Sequence, residues 1–282
     1  MIDRRAFTAG LALAAGGALA AAPASDGPIA ALERERGGRL GVFAFDTGKG
    51  RMLAHRADER FLMCSTFKTV LAAAVLQKVD RGGERLDRPV PYSKADLLSW
   101  APVTEANVAK GALSVGELCA AAVQVSDNPA ANLLFPLVGG PAGLTQFLRG
   151  IGDKVTRCDR LELMLNSPEG DKDTTTPRAM ALTVRTLLLR DVLSPVSRAR
   201  LEGWMITGDR GLKRLRAGLA PGWAAGDKTG AGKAQTNDVA IFRRPGRGPI
   251  LVSAYYQAPD GGAPEREAVL AEVGKIVMAW AG

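Results

Sequence analysis

Ser65 and Lys68 stand three residues apart in the run Cys64-Ser65-Thr66-Phe67-Lys68. A serine hydroxyl is a weak nucleophile until a neighbouring base takes its proton. A lysine amine can do this when burial or a nearby cation lowers its pKa. On a helix, i, i+3 spacing puts both side chains on one face, with Cβ atoms about 5–6 Å apart. The apolar stretch from Thr69 to Val79 supplies a buried helix to carry them. The plainer alternative is that Ser65 caps this helix and Lys68 is solvated. The rest of the chain decides between the two.

Three further stretches offer side chains for the same chemistry. Ser126-Asp127-Asn128-Pro129 follows the apolar run Leu118 to Val125, so three polar residues sit where a buried helix stops. The alternative is a helix stop followed by the cap of a next helix, Ala130 to Leu137, with the proline disfavouring helix at Asn128. Arg157 to Thr176 has no apolar periodicity and contains Arg160, Glu162, Asn166, Asp171 and Asp173. Loops of that length inside compact domains are usually functional or disordered. Asp227-Lys228-Thr229-Gly230 closes a strand-like segment. Trp100 lies in the loop Trp100-Ala101-Pro102, where the residues alone favour a core position.

The elements that must position these groups read clearly. Ile29 to Arg36 is a short helix, Leu40 to Asp46 a strand, and Met52 to His55 its hairpin partner across Thr47-Gly48-Lys49-Gly50. Ser114-Val115-Gly116-Glu117 is a capping box. Gly143 to Ile151, Pro177 to Arg190 and Pro195 to Ile206 are helical, the last two with proline at the first turn. Trp223 to Gly230, Asp238 to Arg243 and Ile250 to Tyr256 are strands, and Glu265 to Trp280 is a terminal helix. Strands at both ends bracket a helical middle. The expected fold is α+β: an antiparallel sheet from both chain ends with flanking helices, plus an inserted all-helical subdomain, and the active site between them. The expected boundaries are an export signal over 1–24, an α/β subdomain over 25–60 and 207–282, and a helical subdomain over 61–206.

Composition removes several classes of function. The chain has 282 residues, 46% hydrophobic and 23% charged, enough for a sizeable core. Its formal charge of +8 is scattered, and only 5% of residues are aromatic, so no basic aromatic stripe points to nucleic acid. The single histidine, His55, argues against a His-based triad or a His-rich zinc site, and its short strand suggests an edge or surface role. Cys64, Cys119 and Cys158 fit no metal pattern, so neither a metal nor a cofactor is expected. At the N-terminus, Arg4-Arg5-Ala6-Phe7 precedes the apolar run Leu11 to Ala22, which is short for a membrane span. It resembles a twin-arginine export signal, which would make the mature protein periplasmic or secreted and free of the membrane.

Ser65-x-x-Lys68, Ser126-Asp127-Asn128 and Lys228-Thr229-Gly230 occur once each, in that order. This trio resembles class A β-lactamases and penicillin-binding proteins. Glu162-Leu163-Met164-Leu165-Asn166 resembles the Glu-x-x-Leu-Asn element of the class A serine β-lactamases, and the likeness extends over the chain after the export signal.

The resemblance implies a set of roles. Ser65 is the acyl-forming nucleophile, Lys68 takes or relays its proton, and Ser126 protonates the β-lactam nitrogen. Glu162 holds the deacylating water with Asn166, and Asn128 binds the substrate's side-chain amide. Lys228 and Thr229 bind the substrate carboxylate beside Gly230. The backbone N–H groups of Ser65 and Ala231 form the oxyanion hole. Arg214 matches an arginine that helps hold the carboxylate, with Lys213 and Arg216 as neighbouring candidates. Arg160 and Asp173 match a pair that ties the loop ends, and Trp100 matches an aromatic wall of the cleft.

Leu163 stands where a proline often follows the glutamate. The usual disulfide partners of Cys64 and Cys119 are replaced by Gly232 and Ala72, so neither bridge is expected. A monomer acting on a small β-lactam is expected. The rivals are a D,D-peptidase without efficient deacylation and a sensor that stays acylated.

Overall fold

The computed structural model describes residues 27–282. The segment expected to be an export signal lies outside them. The elements in chain order are α1 (Pro28–Arg36), β1 (Arg39–Asp46), β2 (Met52–His55), β3 (Phe61–Leu62), α2 (Phe67–Asp80), β4 (Pro89–Pro91), β5 (Ala112–Ser114), α3 (Val115–Gln124), α4 (Asn128–Leu134), α5 (Gly140–Gly150), β6 (Thr174–Thr175), α6 (Pro177–Leu189), α7 (Pro195–Thr207), β7 (Ala224–Ala231), β8 (Gln235–Arg243), β9 (Ile250–Gln257) and α8 (Ala263–Ala281).

Five strands form one antiparallel sheet in the order β2-β1-β9-β8-β7. The two chain ends meet at its centre, where Val42 pairs with Ala254. Successive side chains on a strand face opposite ways, and here both faces are covered. Leu40, Val42, Ala44, Phe242 and Val252 join Ile29 and Leu32 of α1 and Leu270, Val273 and Val277 of α8. Phe43, Val239, Ile241, Leu251 and Tyr255 join the helical core built around Phe67, Leu71, Leu118 and Val184. Two covered faces explain why β9 and the Val239–Phe242 half of β8 read as apolar runs rather than alternating ones.

Helix α2 runs through the middle of the second core, and Phe67 to Leu76 are all buried. The Ser114 capping box is present in full: Ser114 Oγ accepts from Glu117 N at 3.2 Å, and Ser114 N donates to Glu117 Oε2 at 2.7 Å.

Two expectations are corrected here. Asn128 is helical, the first residue of α4, because the Asp127 side chain caps the helix and Pro129 falls in its first turn, where proline is tolerated. The helix ends at Leu134 and continues only as a 3₁₀ turn, Phe135–Val138. His55 lies on edge strand β2 but is buried, with Nε2 2.9 Å from Glu33 Oε2. No helix among the described residues is long and apolar enough to cross a membrane.

Candidate active site

Cys64–Thr66 form a 3₁₀ turn ahead of α2, so Ser65 precedes the α-helix and does not cap it. Cys64 holds a left-handed backbone, φ +46°. Trp100 (+61°), Ser126 (+63°) and Asp173 (+55°) share it. Such angles cost non-glycine residues of order 1–3 kcal/mol and persist where surrounding contacts dictate them. Those contacts are visible around Ser65. Asn237 Nδ2 donates to Leu62 O at 2.9 Å and Met63 O at 3.1 Å, and Thr66 Oγ1 donates to Met63 O at 2.9 Å. Strand β7, at the sheet edge, passes so close that a Cβ on Gly230 would lie 2.7 Å from Met63 O. Only glycine fits there.

Around the turn, six polar side chains from four parts of the chain form one connected series. Ser65 Oγ donates to Glu162 Oε1 at 3.3 Å. The same oxygen lies 3.0 Å from Lys68 Nζ. Lys68 Nζ also donates to Asn128 Oδ1 at 2.6 Å, Ser126 O at 2.9 Å and Ser126 Oγ at 3.5 Å. Lys228 Nζ completes the series, donating to Ser126 Oγ at 3.1 Å and Thr229 O at 2.8 Å. Lys68 therefore reaches Ser65 through the Glu162 carboxylate rather than by the direct i, i+3 bond expected from spacing, because the serine sits on the turn and not on α2. Burial pushes the Lys68 amine below its ordinary pKa, against the pull of Glu162. Lys228 is pushed well down, by burial first and then by the charge of Lys68.

The loop carrying Glu162 is tied at its base. Asp173, fully buried, accepts Asp159 N at 2.7 Å and Arg160 N at 3.0 Å, and its other oxygen pairs with Arg160 Nε at 2.6 Å. Glu162 itself is gripped by Asn132, which donates to Glu162 O at 2.8 Å and accepts Glu162 N at 3.0 Å. The Glu162–Leu163 peptide is cis. Asn166 Nδ2 donates to Glu162 Oε2 at 2.6 Å, while the buried Asn166 Oδ1 has no protein partner.

At the other end, Arg214 is the buried member of the cationic run. Its Nη1 donates to Gly230 O at 3.0 Å and Asn237 O at 2.8 Å, and its Nη2 pairs with Glu267 at 3.1 Å. Lys213 is exposed, and Arg216 is bound to Asp227 and to the end of α7. Arg214 thus places a fixed charge behind Gly230. Asp227 and Asp238 lie buried near Lys228, and burial pushes both carboxyl pKa values up. Ala231, exposed, ends β7.

Trp100 is 48% exposed, which corrects the core position favoured by its loop alone. Its Nε1 donates to Val125 O at 2.8 Å, directly before Ser126, and its carbonyl accepts Asn128 N at 3.0 Å.

Asn132 and Asn237 escape the sequence reading, and Asp127 stands in its motif without a role. Asp127, fully buried, accepts Val103 N and Thr104 N at 2.9 Å each and so anchors the Trp100 loop. Asn132 was detectable as the i+4 neighbour of Asn128 on α4. Asn237 gave no local signal. Cys64, Cys119 and Cys158 are buried and free, and burial pushes each thiol up.

Comparison with known proteins agrees with this geometry. A family model described as the beta-lactamase enzyme family matches residues 26–281. Beta-lactamase L2 of Stenotrophomonas maltophilia is 49% identical over 277 residues, covering 94% of this chain and 90% of L2. The carbapenem-hydrolyzing beta-lactamase KPC of Klebsiella oxytoca is 43% identical over 261 residues, covering 90% and 88%. A crystal structure of a beta lactamase from Burkholderia vietnamiensis superposes with a TM-score of 0.89 at 56% identity, covering 90% of this chain and 95% of that one. The class A beta-lactamase of the last common ancestor of Gram-negative bacteria gives 0.87 at 55%, covering 90% and 98%. With the fold, the ordered motifs and relatives that span nearly its whole length all in agreement, this chain belongs to the class A serine β-lactamases, hydrolases of β-lactams.

Proposed function

We propose that hydrolysis proceeds through an acyl-enzyme on Ser65 and that Glu162 directs the water that releases it. The observation that carries this reading is the shared Glu162 Oε1, within 3.3 Å of Ser65 Oγ and 3.0 Å of Lys68 Nζ. In the first step Ser65 Oγ attacks the lactam carbonyl and gives its proton to the Glu162–Lys68 pair. The C–N bond then breaks, and Ser126 Oγ delivers a proton to the departing nitrogen. The two amines on Ser126, Lys68 and Lys228, support that delivery and can resupply the proton. Lys228 and Thr229 receive the substrate carboxylate, with the Arg214 charge behind them. Asn128 meets the side-chain amide. The N–H groups of Ser65 and Ala231 face the carbonyl oxygen as it becomes an oxyanion.

Deacylation needs a water that is both held and deprotonated. Glu162 supplies the base, and the unpartnered Asn166 Oδ1 supplies a second acceptor beside it. A D,D-peptidase or an acylated sensor has no use for such a pair. Arg4-Arg5-Ala6-Phe7 and the apolar run after it support export to the periplasm or beyond.

A chromogenic cephalosporin with intact-mass analysis tests the nucleophile. Ser65→Ala should form no covalent adduct and lose at least about 10³-fold in kcat/KM. An adduct of unchanged yield in Ser65→Ala would overturn the assignment.

A further inference from the structure

Arg210 lies on the segment between α7 and β7, four residues before Arg214. It is exposed, and its one partner among the described residues is the Trp100 ring, whose centroid is 4.3 Å from the guanidinium carbon. That contact joins the segment leading into β7 to the loop on the helical side, next to Ser126.

The surroundings aim Arg210 at this place. Gly208 packs on the end of α3, where a Cβ would lie 3.0 Å from Gln124 O, and Gln124 Nε2 donates to Thr207 Oγ1 at 2.6 Å. Gly211 packs on the Asp227 carboxylate, where any side chain would collide. The segment is thus pinned on both sides of Arg210. Trp100, by contrast, has a strained left-handed backbone and a half-exposed indole. One edge of that indole is fixed by its bond to Val125 O. A cation over the face supplies the second restraint, since an aromatic quadrupole attracts a guanidinium.

We propose that Arg210 is a positioning residue for substrate binding, holding the Trp100 indole as a rigid wall of the cleft at the Ser126 end. This rests on the reading of the cleft as the β-lactam site. Arg210 itself need not touch the substrate; it acts through Trp100. Losing an exposed cation–π contact should raise KM by about two- to fivefold and fall mainly on KM rather than kcat.

The test is a double-mutant cycle read with a chromogenic cephalosporin: wild type, Arg210→Ala, Trp100→Ala and the double variant. The expected result is a higher KM in Arg210→Ala, no further effect of that change in the Trp100→Ala background, and recovery in Arg210→Lys, which keeps a cation over the ring. An equal KM change in both backgrounds would mean direct contact with the substrate and would overturn the proposal. So would an unchanged KM in Arg210→Ala. Absence of turnover in the wild type would instead refute the underlying reading of the cleft, so the two failures are distinct.

Discussion

Two buried amines, Lys68 and Lys228, lie in the candidate site, and burial pushes both pKa values down. Their surroundings nevertheless make opposite predictions for stability. Lys68 is matched by Glu162, Asn128 and Ser126. Lys68→Met would leave a buried carboxylate without its cation, so the fold should lose about 3–5 kcal/mol. Lys228 has weaker compensation: its side-chain hydrogen bonds go to neutral oxygens, Lys68 and Arg214 repel it, and the attraction of Asp227 and Asp238 does not offset its burial. Between its lowered native pKa and the ordinary 10.5, the unfolded chain binds a proton that the native state does not. Stability therefore rises with pH through that window. Lys228→Met should raise Tm at neutral pH by about 2–4 °C while abolishing activity. The advantage should shrink as pH approaches 10.5. A lower Tm for Lys228→Met across this range, in thermal melts from pH 6 to 10, would contradict the account.

At the scale of elements, the loop from Arg157 to Thr176 shows how a segment without periodicity can be rigid. Its base is closed by Asp173, which takes two backbone N–H groups and the Arg160 guanidinium in a fully buried position. An exposed ion pair would contribute little, but a buried one leaves several unpaired groups when broken. Asp173→Ala should cost about 3–5 kcal/mol in denaturant unfolding. It should also slow deacylation more than acylation, since the loop carries Glu162 and Asn166 but not Ser65. A loss below about 1 kcal/mol, or equal slowing of both steps, would show that the loop is held by other means. The Arg160–Asp173 pairing was legible only through resemblance. The Ser114 box, the hairpin from β1 to β2 and helix α8 were legible from local spacing, because all their determining contacts lie within a few residues.

Over the whole molecule, the site is a product of long-range contacts. Ser65 and Glu162 are 97 residues apart, and Lys228 is 102 from Ser126. The motifs named these residues but not their connections. Spacing alone suggested that Lys68 would bond Ser65 directly, and only the 3₁₀ turn before α2 shows that Glu162 stands between them. Nor could spacing reveal that Arg214 would be bound to strand carbonyls, or that Asn237 and Gly230 fix the nucleophile's turn from the sheet edge. Those depend on how a helical core and a two-sided sheet meet. The central claim is that this meeting places Glu162 where it can release the acyl-enzyme. The most direct measurement is time-resolved intact mass with a chromogenic cephalosporin for wild type and Glu162→Ala. Steady turnover without adduct in the wild type, and a persistent covalent adduct in Glu162→Ala, is the predicted result. A stoichiometric burst that stops in the wild type, or undiminished turnover in Glu162→Ala, would contradict it.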